Sequence, residues 1–208
     1  MLRAAGVRSG HPVVAYDGGD GSVAARVWWL LRWAGHEEVS VLDGGFAAWT
    51  AESREVTSES VTPEPGDIEV RPGAMPVIDA DGAAALARTG VLLDARAGAR
   101  YRGETEPVDP RPGHIPGALN APSADHVDAT GRWLDATALA DRFGALGVTP
   151  DVPVGAYCGS GVTASSIVLA LEVAGLTSKD NPATLYAGSW SNWSADPNRP
   201  AATGPDAG

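Results

Sequence analysis

Apolar positions along the chain fall into short runs broken by glycine and proline. Val91-Leu92-Leu93-Asp94, Pro153–Tyr157 and Thr184–Tyr186 are such runs, bounded by turn-forming residues. A brief apolar run without polar alternation is the pattern of a strand covered on both faces. Ala118-Leu119-Asn120, after the turn Gly113-His114-Ile115-Pro116-Gly117, predicts a further short strand. Between these runs, Thr137–Gly144 and Ala164–Ala174 carry helical spacing, the second closed by Gly175. Strands that alternate with helices predict an α/β fold, a mostly parallel sheet flanked by helices.

The pattern also repeats. Gly6-Val7 through Ala15-Tyr16-Asp17-Gly18 matches Gly147-Val148 through Ala156-Tyr157-Cys158-Gly159 at a constant offset of 141. After a short gap, Val23-Ala24-Ala25 falls on Val162-Thr163-Ala164. Apolar helical segments follow in both copies, Val27–Leu31 and Ile167–Leu171. Each copy then ends in a glycine–tryptophan element, Asp43–Trp49 and Ala187–Trp193. An ordered series of this kind reads as two tandem copies of one domain. The second copy has some eighty residues of its own in front of it and the first almost none, so the first reads as incomplete. The predicted organisation is a partial domain at 1–50, a Ser/Thr/Glu/Pro-rich linker at 51–69, a complete domain at 70–196, and a flexible Pro/Ala/Gly-rich tail at 197–208.

Composition narrows the function classes. Of 208 residues, 44% are apolar, which is enough for a core and excludes wholesale disorder. Fifteen Lys and Arg stand against 26 Asp and Glu, a net charge of −11. No basic stripe is available to displace counterions from phosphates, so neither nucleic acid nor an anionic membrane is an expected partner. The most apolar stretch, Val23–Gly35, is short and carries Arg26 and Arg32, so no membrane span is expected either. No secretory signal is evident in Met1–Gly10, and the expected location is cytoplasmic. The single cysteine, Cys158, rules out a disulfide within the chain and a zinc site built on paired cysteines. No metal or cofactor is called for.

Cys158 follows a predicted strand and precedes a predicted helix, with Gly159-Ser160-Gly161-Val162-Thr163 between them. In α/β sheets the ligand crevice lies at the carboxyl ends of the strands. Two glycines let such a loop curl with its N–H groups inward, and the helix adds its positive end. That setting favours thiolate and can cradle a negative group bound to it. Cys158 is therefore a candidate nucleophile. In the first copy Asp17 takes its place, so that copy has no thiol.

The sequence Cys158-Gly159-Ser160-Gly161-Val162-Thr163-Ala164 resembles the active-site loop of the rhodanese superfamily, in the form found among its mercaptopyruvate sulfurtransferases. Asp94-Ala95-Arg96, Arg100-Tyr101-Arg102-Gly103, Gly113–Asn120 and Gly188-Ser189-Trp190 resemble further ordered elements of that family. The resemblance covers residues 75–195 densely and 5–50 as a degenerate copy. It implies a rhodanese-like fold and a ping-pong transfer, in which Cys158 takes sulfur from a small-molecule donor and yields it from a persulfide. The acceptor would be a thiol such as thioredoxin, or cyanide. By position, Arg100 and Arg111 match the arginines that grip a donor carboxylate. The backbone of Gly159, Gly161, Val162 and Thr163 would hold the transferred sulfur, and Ser160 would polarise the donor or relay a proton.

Relatives specialised for thiosulfate, a dianion, have basic residues inside this loop. Gly159 and Ser160 are neutral, which favours 3-mercaptopyruvate. Thiosulfate and an inactive scaffold remain alternative readings. A cysteine phosphatase would need arginine six positions after the cysteine, where Ala164 stands.

Overall fold

The computed structural model describes residues 1–208. The first copy contributes β1 (Val13–Ala15), α1 (Ser22–Trp33), β2 (Val39–Val41) and α2 (Gly45–Ala51). The second begins with β3 (Val77–Ile78), α3 (Ala80–Thr89), β4 (Val91–Asp94), α4 (Gly98–Tyr101) and β5 (Leu119–Asn120). It continues with α5 (Ala136–Ala145), β6 (Val154–Tyr157), α6 (Ala164–Val173), β7 (Thr184–Tyr186) and α7 (Ser189–Ala195). All strand pairs are parallel. β1 and β2 form a two-stranded sheet, and the other five strands run in the order β3-β7-β6-β4-β5. β4 and β6 lie at the centre, and all eight of their residues are buried, which explains their unbroken apolar runs.

Local signals fix the helices. Asp79 caps α3 by accepting the Gly82 N–H at 2.9 Å, and Asp135 caps α5 by accepting the Ala138 N–H at 2.9 Å. The runs read from sequence as strands and helices in the second copy fall on β4, β5, α5, β6, α6 and β7. β3 and α3 are additional. The alanine-rich stretch Ala80–Thr89 holds few large apolar residues to mark a buried face, and its cap at Asp79 is the local signal for it.

The element order of the first copy matches the last part of the second. β1-α1-β2-α2 corresponds to β6-α6-β7-α7, and the two matching helices, α1 and α6, pack against each other. One core of 24 buried residues spans both copies. It joins Trp28, Trp29 and Leu31 of α1 to Ile167, Val168 and Leu171 of α6 and Phe143 of α5. Arg32 of α1 is nearly buried there and reaches Glu172 of α6 at 2.6 Å. Gly21 and Gly161 both sit at φ +80° where the loop enters the helix. This sets Ser22, rather than Val23, opposite Val162, a one-residue correction to the register read from sequence.

Two segments differ from expectation. The tail at 197–208 is docked, not flexible. Ala202 and His114 exchange two backbone hydrogen bonds at 2.9 Å, Gly204 N–H donates to Arg102 at 2.9 Å, and Trp193 Nε1–H donates to Pro200 O at 2.7 Å. Its composition lacks large apolar residues, but its backbone groups find partners. The segment 52–69, after α2, carries no helix or strand, and its end returns to the first copy. Gly66 N–H donates to Arg3 O at 2.7 Å and Ile68, 3% exposed, enters the shared core.

The first copy supplies only two strands, and its outer face shows this. Tyr16 is 61% exposed and Phe46 44%, whereas their counterparts Tyr157 and Trp190 are fully buried beneath α3 and α7. No helix is long and apolar enough to cross a membrane.

Candidate active site

Cys158 stands immediately after the central strand β6, at the carboxyl edge of the five-stranded sheet, and is 3% exposed. The chain then reverses at Gly161, whose φ of +80° belongs to the left-handed region open to glycine. This turn aims the Gly161 N–H at Cys158 Sγ, 3.1 Å away. The N–H groups of Gly159, Ser160, Val162, Thr163 and Ala164 donate to no acceptor in the protein. Backbone donors left unpaired in this way are costly unless water or a ligand takes them. α6, ten residues long, adds the positive end of its dipole. The loop thus sets one amide on the sulfur and leaves five neighbouring amides without a protein acceptor beside the positive end of a helix, a setting suited to negative charge.

A second turn holds the nucleophile from behind. The Cys158 N–H donates to Ser189 Oγ at 3.1 Å, and the Ser189 hydroxyl donates to Tyr186 O at 2.9 Å. Trp190 N–H donates to Cys158 O at 2.9 Å. Ser189 adopts φ +54°, rare for a residue with a side chain, and its counterpart Gly45 has the same value. The matching bond, Phe46 N–H to Asp17 O at 2.9 Å, is also present. The strained turn therefore belongs to both copies, while the hydroxyl belongs to the copy that carries the cysteine. The motif Gly188-Ser189-Trp190 stood out in the sequence, but nothing in it marked Ser189 as a support for Cys158; the aligned pair Gly45/Ser189 is the signal that could have done so.

The two predicted arginines have different fates. Arg100, on α4, leans over the loop. Its Nη1 lies 3.5 Å from the point a β-carbon on Gly159 would occupy. Its Nη2 donates to Glu106 at 2.6 Å and Asp109 at 3.0 Å, and its buried Nε has no partner. Burial would raise the Glu106 carboxyl, but the Arg100 bond and the Asp109 and Val108 N–H groups outweigh it and hold its pKa below the ordinary value. The pair fixes the guanidinium at the lip of the loop with donors to spare.

Arg111 is a correction. Its guanidinium donates to the carbonyls of Ser194, Arg199, Trp193 and Asp196 at 2.7–3.3 Å, so its donors are spent fastening α7 and the tail. It is not placed to grip a donor. A sequence position alone could not distinguish the two arginines, because what consumes Arg111 is a set of carbonyls more than eighty residues away.

Ser160 is exposed at the loop tip, and its hydroxyl bonds no protein group. Arg96 forms a buried ion pair with Asp94 at 2.7 Å and lies 4.8 Å over the Trp190 ring, a structural arrangement. His114 is buried, donates Nδ1–H to Tyr101 O at 2.8 Å, and stacks on the Tyr101 ring. It fixes the turn rather than facing Cys158. Trp190 and Trp193 are core residues, with their indole N–H groups bound to Arg111 O and Pro200 O.

The first copy shows the same loop filled. Asp17 occupies the Cys158 position, and its carboxylate accepts the N–H groups of Gly19, Gly21, Val23 and Ala24 at 2.9–3.1 Å. Burial raises this carboxyl, but those four donors outweigh it and hold its pKa below the ordinary value.

Comparisons with known proteins agree with this geometry. The profile of the rhodanese-like domain family matches residues 2–52 and 79–196. A probable 3-mercaptopyruvate sulfurtransferase of Pseudomonas aeruginosa is 49% identical over 98% of this chain and 72% of its own length. A putative thiosulfate sulfurtransferase of Mycobacterium tuberculosis is 41% identical over 98% of this chain and 71% of its own. The 3-mercaptopyruvate sulfurtransferase of Escherichia coli is 35% identical over 96% and 70%. Among solved structures, an anaerobic ergothioneine biosynthesis enzyme of Chlorobium limicola superposes with a TM-score of 0.84 at 23% identity. The match covers 98% of this chain and 53% of that one, and it shows the shared fold.

Proposed function

The chain belongs to the rhodanese-like domain family, and on that premise we propose that it is a sulfurtransferase carrying sulfur from 3-mercaptopyruvate to a thiol or cyanide through a persulfide on Cys158. The observation that carries this reading is the Cys158 loop, in which the Gly161 N–H meets Sγ and the other N–H groups from Gly159 to Ala164 are uncommitted.

The transfer divides into two displacements, each easier than a direct exchange. The Cys158 thiolate attacks the donor sulfur. The carbon–sulfur bond of 3-mercaptopyruvate breaks, and its electron pair stays on carbon as the enolate of pyruvate, which then takes a proton. Cys158 is left with a sulfur–sulfur bond. In the second step an acceptor thiolate attacks the outer sulfur, and the electron pair of that bond returns to Cys158. The loop amides meet the negative charge in both steps. Arg100 meets the donor carboxylate, and Ser160, free at the tip, is in reach of the donor's polar end. The neutral Gly159 and Ser160 favour mercaptopyruvate over a dianion, and the names of the Pseudomonas and Escherichia relatives support that choice.

With Asp17 in place of cysteine the first copy is catalytically silent, and its contribution is to pack on α6 and shape the mouth of the site. A thiol that must stay reduced between turnovers fits a cytoplasmic setting and a small dithiol protein such as thioredoxin as acceptor.

The test is mass spectrometry of the purified chain after incubation with each donor. A gain of one sulfur on Cys158 with 3-mercaptopyruvate is the expected result. A gain with thiosulfate alone moves the assignment to that donor, which the name of the tuberculosis relative supports. No gain in the folded protein, or sulfur transfer that survives Cys158→Ser, overturns the proposal.

A further inference from the structure

With Arg111 committed to α7 and the tail, the loop has one arginine at its lip where two were expected. A second cation comes from the other copy. Arg26 lies one turn into α1, the helix that packs on α6 next to the Cys158 loop. It is half-buried, and its guanidinium stacks 4.9 Å over the ring of Trp29. Its Nη1 is buried and has no acceptor. The indole Nε1 of Trp29, a residue 3% exposed, is also buried without an acceptor. Arg100 Nε is a third such donor.

Buried donors without acceptors are rare in proteins, and an unpaired guanidinium N–H is one that an anion completes. Arg32 and Glu172 pair in the last turns of α1 and α6, so the two helices run side by side and Arg26, near the start of α1, lies toward the start of α6, where the Cys158 loop ends. The other charges near the loop are spoken for. Arg100 is held by Glu106 and Asp109, Asp17 is turned into its own loop, Glu172 of α6 is paired with Arg32, and the other residues of α6 and α7 are uncharged.

We propose that Arg26, supplied by the copy that lacks a cysteine, is the second cationic residue of the Cys158 site and receives an anionic sulfur donor together with Arg100. The inference rests on the sulfurtransferase reading. It gives the first copy a part in donor selection and explains how the site keeps two arginines although Arg111 is elsewhere.

The experiment compares alkylation of Cys158 by iodoacetate, an anion, and iodoacetamide, its neutral analogue, in the full chain. The ratio of the two rates reports positive charge at the sulfur and needs no turnover. Arg26→Met should lower the ratio about tenfold, the effect of removing one unit charge at partly screened range. Arg26→Lys should keep it within about threefold, since the charge remains. KM for 3-mercaptopyruvate should rise in Arg26→Met, with kcat changed much less.

Arg26→Gln keeps a stem to lie on Trp29 and serves if the Met variant fails to fold. An unchanged ratio in either folded variant overturns the inference. A lowered ratio that Lys does not restore also overturns it, because the effect is then one of packing. Failure of the wild-type chain to take up sulfur would instead defeat the catalytic reading, while the alkylation ratio would still measure Arg26.

Discussion

Gly161 is the residue on which the loop turns, and replacing it with alanine isolates that role. Its φ of +80° costs a residue with a β-carbon about 1–2 kcal/mol. The added carbon would also lie 2.4 Å from Ala187 O, 3.1 Å from its carbonyl carbon and 3.2 Å from its Cα. These are backbone atoms of the turn that leads into Ser189, so no side chain can rotate away. Relieving an overlap of this kind by shifting backbone costs about 1–3 kcal/mol more.

The sum is about 2–5 kcal/mol, or else a loop displaced from Sγ. Gly175 and Gly147 are built-in controls. Their φ values are +71° and +82°, with nothing within 4 Å of the added carbon, so alanine there meets only the conformational cost. Urea unfolding should place Gly161→Ala at least about 1 kcal/mol below both controls, the low end of the overlap cost. Sulfur uptake by Cys158 should fall more than tenfold in the first variant and hold in the other two. If Gly161→Ala matches Gly175→Ala in stability and still loads sulfur at the wild-type rate, the loop is not the rigid cradle described here.

The two arginines should separate cleanly. Arg111→Ala should lower stability by about 1–3 kcal/mol, because it strands four carbonyls, with KM for the donor little changed in the protein that remains folded. Arg100→Ala should raise KM for mercaptopyruvate several-fold, which Arg111→Ala does not, and should also lower the melting temperature because it takes a partner from the nearly buried carboxylates of Glu106 and Asp109. His126 should limit stability in mild acid. Burial first, and then Arg142, push its pKa down to about 4 from an ordinary 6.5, against smaller pulls from Asp125 and Asp20. The unfolded chain binds this proton more readily, so stability should fall as pH drops from about 6.5 to about 4, by about 3 kcal/mol in all. Unfolding curves across that range should flatten in His126→Leu, and an unchanged slope would remove His126 as the cause.

The chemistry was more legible in the sequence than its surroundings. Strands β4, β6 and β7 announced themselves because burial on both faces demands unbroken apolar runs. Cys158, its glycines and the helix after them are contiguous, so one stretch of chain encodes the cradle. Arg100 was legible because it sits within a contiguous motif and turns toward the loop. Arg111 sat within a motif too, but its partners are carbonyls at 193–199, and main-chain acceptors leave no trace in side-chain identity. The tail misled for the same reason, since it docks through backbone bonds and not through apolar residues. Arg26 was hidden in the copy that seemed inert. Only the packing of α1 on α6 brings it to the site, and a repeat detected by similarity says nothing about how its copies face each other.

That first copy also offers a test of whether the cradle belongs to the loop or to the cysteine. The Asp17 carboxylate is in effect the loop's own bound anion, held by four backbone donors. Because its folded pKa lies below 3.8, its contribution is complete well above that value and is lost as pH falls through the folded pKa. Asp17→Gly should therefore be less stable than wild type at neutral pH, by about 1–3 kcal/mol, the range for hydrogen bonds to a charged group. The deficit should shrink in acid, where the wild-type carboxylate is protonated. Emptying the loop should also create a binding site. Sulfate should stabilise Asp17→Gly beyond what it does for the wild type, by an amount that grows with the logarithm of its concentration. The Cys158 loop is present in both proteins and cancels in the difference. If sulfate raises the two melting temperatures equally, the first-copy loop does not hold anions once its carboxylate is gone. The cradle around Cys158 would then owe its character to the sulfur and Arg100, and not to the fold that both copies share.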